Sequence, residues 1–74
     1  MARATHFTQV VRLHPARAAR SLASVGPEAD WTLGEAARLL GVSRVTLHRL
    51  MREHAPLRAA WERARDAAVL ADWE

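Results

Sequence analysis

Between Trp31 and His54 the chain reads WTLGEAARLLGVSRVTLHRLMREH, and its cations gather at one end of that stretch. Arg44, His48, Arg49 and Arg52 fall within nine residues, and no acid lies between Glu35 and Glu53. At helical spacing Val45, His48, Arg49 and Arg52 share one side, Leu47, Leu50 and Met51 share the other, and Arg44 sits at the exposed N-terminal end. A helix face of arginines without counter-charge is the electrostatic footprint of a phosphate-rich partner. The planar guanidinium also matches phosphate oxygens and guanine edges bidentately. Catalytic chemistry has no comparable constellation here. His6, His14, His48 and His54 have no cysteine and no HExxH spacing around them, and His48 and His54 do not share a helical face. There is no glycine-rich phosphate loop and no serine or acid pair in a catalytic context. The expectation is a protein that is not an enzyme and carries no metal or cofactor.

Two elements must position those cations. Thr32 is a good N-cap, and Glu35 three residues on predicts a capping box. Leu33, Ala36, Ala37 and Leu40 then follow the spacing of one buried helix face. Gly41 ends that helix, because glycine takes positive φ without steric cost. Val42 is the one apolar residue of the turn and is expected to point inward. Ser43 is placed to cap the second helix near Val45 and Thr46. The small residues Ala36 and Ala37 let the two helices approach at a steep angle, so the second stands clear of the body.

The stretch Leu33–Arg52, with EAARLLGVSRVTL at 35–47, resembles the helix-turn-helix of the Fis family, including the C-terminal DNA-binding domain of NtrC-type activators. That resemblance implies binding of double-stranded DNA in the major groove. It implies that Ser43, Arg44 and Thr46 contact phosphates and base edges at the helix start, with Arg49 as a basic groove contact. Val45 stands where the family usually has a smaller residue, and His48 and Leu50 where some members carry basic ones. More loosely, MREHAPLRAAWERARDAAV resembles the segment that follows the helix-turn-helix in small terminase subunits of phages.

At 74 residues this is one small unit near the lower limit for a self-sufficient core. A core of Leu22, Leu33, Leu40, Val42, Leu47, Leu50 and a tryptophan or two is thin, which favours self-association. Cysteine is absent, so disulfides and thiolate metal sites are excluded. No early apolar run suits a secretion signal and no stretch is long enough to span a bilayer, so a cytoplasmic, nucleoid-associated location without membrane contact is expected. All eleven basic residues are arginine, a bias that a GC-rich genome would also produce, and the net charge is only +3. Its distribution says more. Residues 1–27 hold Arg3, Arg12, Arg17 and Arg20 and no acid, whereas residues 53–74 hold three arginines against Glu53, Glu62, Asp66, Asp72 and Glu74. The front and the middle are expected to meet DNA and the tail to face away.

Residues 1–14 fit three descriptions: a short helix capped by Thr5 with Phe7, Val10 and Val11 inward, a strand with Phe7, Val11 and Leu13 on one face, or a disordered basic arm. Pro15 suits the first turn of a helix running to Val25, with Ala18, Leu22 and Val25 on its inner face, and Gly26-Pro27 ends it. Trp31 either staples the next helix against Ala36 or packs on the helix before. After the motif, Pro56 disfavours a helical Ala55 and separates the last helix, 56–73. There Leu57, Trp61, Ala64, Ala68 and Ala71 form a short heptad seam, and Val69, Leu70 and Trp73 widen the apolar surface. An exposed Trp73 at the end of that surface points to a contact, with a protein partner as one candidate.

The fold class expected is all-α: a small trihelical helix-turn-helix unit over 15–54, an N-terminal arm over 1–14 and an additional C-terminal helix over 55–74 for packing or oligomerisation. The function expected is sequence-specific DNA binding by a small transcription regulator, as a homodimer, through Ser43, Arg44, Val45, Thr46, His48, Arg49 and Arg52. The competing readings are a phage-type DNA-packaging subunit that assembles into a ring, and a protein-interaction adaptor.

Overall fold

Pro15, Gly26-Pro27, Gly41 and Pro56 punctuate the chain, and each lies at or beside a helix boundary. The computed structural model describes residues 2–73, with side chains from His6 to Ala71. The expectations for Thr5 as a cap and Trp73 as a contact concern side chains outside that range. The helices are α1 (Ala2–Leu13), α2 (Pro15–Val25), α3 (Leu33–Leu40), α4 (Arg44–Glu53) and α5 (Ala55–Trp73), and no strand occurs among the described residues.

The first segment is helical, and the reason is legible in what it buries. Phe7 and Val11, four apart, are both in the core, and Val10 packs against it. Leu13, which a strand would have turned inward with them, is 71% exposed. The burial therefore follows the helical period and not the period of two. With Phe7 and Val11 committed to the core, the segment is not a free basic arm. His14 is non-helical (φ −142°, ψ 71°), consistent with the bar on the helical region for a residue before proline, and Pro15 opens α2. The His14 N–H donates to the Val10 carbonyl at 2.7 Å, and its own carbonyl accepts from Ala18 at 3.0 Å. One residue thus closes α1 and starts α2.

Helix α2 is the central element. Ala18, Ala19 and Leu22 are buried, and the helix packs on α1, α3 and α5. The largest fully buried side chains are Leu22, Leu47, Leu57 and Val11, one each from α2, α4, α5 and α1. Leu57 and Trp61 of α5, which the seam spacing had placed on one face, join this core. Leu33 and Leu40 lie at its edge.

The 26–31 turn is more specific than a polar link. Ala29 is buried, and Trp31 donates its N–H to the Gly26 carbonyl at 2.9 Å. Asp30 (φ 52°) and Trp31 (φ 60°) are both left-handed without being glycine. This folds the Trp31 ring back over Gly26, where an added Cβ would lie 2.1 Å from the ring. The same ring meets Trp61 edge-on, with centroids 5.2 Å apart and planes at 68°. Trp31 therefore packs back on the α2 terminus and on α5, the second of its two expected placements extended to a helix not foreseen.

Between α4 and α5 the break falls at His54 (φ −124°, ψ 94°), one residue earlier than Pro56 implied, and Ala55 is the first helical residue. A proline in the first turn forfeits an N–H that has no intrahelical partner, so the helix can begin ahead of it. Helix α5 has 19 residues, but only its first half is covered. Leu57 and Trp61 are buried, Ala64 and Ala68 are half-buried, and Ala71, Val69 and Leu70 are exposed. The heptad seam is occupied from within the chain only as far as the body extends.

Candidate nucleic-acid interface

The motif begins at Thr32, which is extended (φ −97°, ψ 135°) as an N-cap should be but forms no side-chain cap. Its N–H and its hydroxyl both donate to the Ala29 carbonyl, at 3.0 and 2.8 Å. The left-handed pair at 30–31 brings that carbonyl within reach. Since a capping box needs the N-cap N–H free, Glu35 has nothing there to accept from. Its carboxylate instead takes the Arg38 guanidinium, with Nε at 2.9 Å and a second contact from Nη2. Arg38 holds the Glu35 carboxyl below the ordinary glutamate range through this hydrogen bond, and Glu35 in turn raises Arg38. The expected capping box is thus replaced by an exposed i,i+3 ion pair.

The turn follows the sequence closely. Gly41 is left-handed (φ 77°, ψ 26°), its N–H donates to Arg38 at 3.2 Å, and the Val42 N–H donates to Ala37 at 3.0 Å. This pair of bonds is the Schellman closure, which satisfies carbonyls the helix end would leave orphaned. Val42 is buried beneath it. Ser43 caps α4: its Oγ accepts from the Thr46 N–H at 3.0 Å and donates to Thr46 Oγ1 at 2.8 Å.

Helix α4 buries Leu47, Leu50 and Met51. Its opposite side presents Val45, His48, Arg49 and Arg52, and Arg44 stands at its N-terminal end, all exposed, with Thr46 half-exposed on the flank. Val45 is 78% exposed, the highest value among the large apolar residues described. Arg44, Arg49 and Arg52 form no ion pair among the described residues. The Arg44 stem lies across the first turn of α3, where its Cδ would be 3.4 Å from a Cβ added at Gly34. All seven residues expected at the interface are therefore on or beside one side of one helix. The Ser43 and Thr46 hydroxyls differ from the rest, because they are already bonded to each other.

Two residues outside the expected set join this surface. A cleft beside α4 is lined by His48 and Arg52 on one wall and by Arg58, Glu62 and Arg65 of α5 on the other, over Trp61. Part of the tail thus borders the cationic side of α4. Arg58 and Arg65 lie three before and four after Trp61, so they share the face that Trp61 buries. That spacing was available in the sequence, but counting charge over the whole tail hid it.

Two short helices joined by a tight glycine turn, with a cationic face on the second that has no ion-pair partner among the described residues, make a helix-turn-helix of the DNA-binding kind. Residues 28–54 match the family described as bacterial regulatory protein, Fis family, and that stretch is similar to a Fis-type helix-turn-helix. No curated protein and no solved structure matches the chain. No described helix is long and apolar enough to cross a membrane, and no group of three or more potential metal ligands occurs among the described residues.

Proposed function

We propose that the chain is a sequence-specific double-stranded DNA-binding protein that regulates transcription, with α4 inserted in the major groove. The observation that carries this reading is the outer face of α4. Three arginines and His48 surround an exposed Val45, and those arginines have no ion-pair partner among the described residues. Arg44 and Arg49 read guanine edges or phosphates, Arg52 and His48 meet the backbone, and Val45 faces a thymine methyl. Ser43 and Thr46 set the helix start against the sugar-phosphate strand. A homodimer fits the thin core and the exposed Val69 and Leu70 of α5, and two-fold symmetry would require half-sites about one helical turn apart.

The test is fluorescence anisotropy with random duplex DNA over a range of salt, on wild type and Arg49→Ala. Affinity should fall steeply with salt, and the variant should lose about 1–3 kcal/mol. No binding at low salt, or an unchanged affinity in the variant, refutes the reading. Sedimentation of the free protein tests the dimer. A ring of higher order would favour a packaging subunit over a regulator.

A further inference from the structure

The cleft between α4 and α5 has no place in a reading confined to the helix-turn-helix. Arg52, Arg58 and Arg65 line it together with His48, against the single carboxylate of Glu62. Arg52 and Arg58 have no ion-pair partner among the described residues, and Arg65 has only a distant one, Asp66 at 4.0 Å. Arg58 and Arg65 are two helical turns apart, about 10 Å along α5. Their register is not free to vary, because Trp61 between them is fixed in the core and braced by Trp31.

Resting on the DNA-binding reading above, we infer that this cleft is a second phosphate-binding site, in which Arg58 and Arg65 of α5 hold the backbone of the duplex that α4 enters. Three points carry it. Like-charged guanidiniums gathered against one carboxylate repel each other, and a polyanion relieves that repulsion. The cleft is continuous with the outer face of α4, since His48 and Arg52 belong to both. Its walls are two rigid helices joined by a single extended residue, His54, so the second set of charges is held at a fixed offset from the first. Contacts of this kind set the register of a protein on DNA and read no sequence. Helix α5 therefore supplies affinity and orientation while α4 supplies discrimination.

The experiment measures affinity for a random-sequence duplex against salt for wild type, Arg58→Gln, Arg65→Gln, the double variant and Glu62→Gln. Removing either arginine from a phosphate should flatten the slope of log affinity against log salt by about 0.9, and should weaken binding about tenfold at roughly 0.05 M salt. The weakening should be equal for all duplex sequences. Lysine at 58 and 65 should restore the slope, since a point charge suffices at a phosphate but not at a guanine edge. Glu62→Gln should bind more tightly than wild type. A double variant with the wild-type slope overturns the inference, as does a Glu62→Gln variant that binds no more tightly. If Arg49→Ala weakens binding while the double variant does not, the cleft is excluded and the helix-turn-helix reading stands. If wild type shows no salt-dependent binding, both fall together. Circular dichroism of each variant checks that an exposed arginine was removed from a folded protein.

Discussion

Replacing Gly26 by alanine isolates one contact between the turn that leads into the motif and the end of α2. The backbone there is helical (φ −53°, ψ −55°), so alanine is permitted locally. Considered alone, it should stabilise by about 0.4–1 kcal/mol through the unfolded chain. The space is the obstacle. An added Cβ would lie 2.1, 2.5 and 2.6 Å from Cζ3, Cη2 and Cε3 of Trp31, well inside any real contact. The ring would have to retreat, and its edge contact with Trp61 would go with it. Overpacking of this kind costs about 1–3 kcal/mol, and the aromatic pair is worth roughly 0.5–1.5 kcal/mol within that. After the local gain, the expected net loss is roughly 1–2 kcal/mol, or roughly 5–15 °C in Tm for a domain of this size. Urea unfolding of wild type, Gly26→Ala, Trp31→Leu and the double variant decides it. With leucine at 31 the alanine should become neutral or stabilising. An alanine that is harmless in the wild-type background, or equally harmful in both, refutes the reasoning.

Three further outcomes follow from the same geometry. If Val45 lies against a thymine methyl, exchanging that thymine for deoxyuridine in a selected duplex should cost ~0.8 kcal/mol in wild type and little in Val45→Ala; equal losses in both would exclude the contact. Leu57→Ala empties a fully buried site where α5 joins the core, and should cost about 2–5 kcal/mol by urea unfolding. A loss well below that range would mean α5 is not anchored there. Because Arg38 holds the Glu35 carboxyl below its ordinary range, the stabilisation from that pair is complete above the range of a free glutamate and is lost as pH falls through the lowered value. The stability gap between wild type and Glu35→Gln should therefore close in acid, and thermal melts in which it widens on acidification would contradict the assignment.

What the sequence made legible were features settled by a residue and its near neighbours. Gly41 stops a helix because of its own backbone, Ser43 caps because its hydroxyl reaches Thr46, and Leu47, Leu50 and Met51 declare a face by spacing. The misses were settled at longer range. Thr32 and Glu35 carry a capping signature, but the Ala29 carbonyl, delivered by the turn before them, takes the donors first. Phe7 and Val11 suit a strand or a helix equally until the core that receives them is known. Arg58 and Arg65 became part of the cationic surface only because Trp61 is buried between them, and burial is a property of the assembled chain.

The two left-handed residues ahead of α3 bear on how far this motif can be moved. Asp30 and Trp31 hold a conformation that costs an L-residue roughly 1–2 kcal/mol each, and the turn keeps it because Trp31 is seated on Gly26 and Trp61. Neither seat lies within residues 28–54, the span that the family match covers. That span is consequently not a portable cassette. Transplanted without Gly26 and Trp61, its leading turn would relax to a right-handed path and α3 would leave its neighbours at a new angle, carrying α4 with it. A chimera that keeps the reading helix aimed as it is here must bring both seats along.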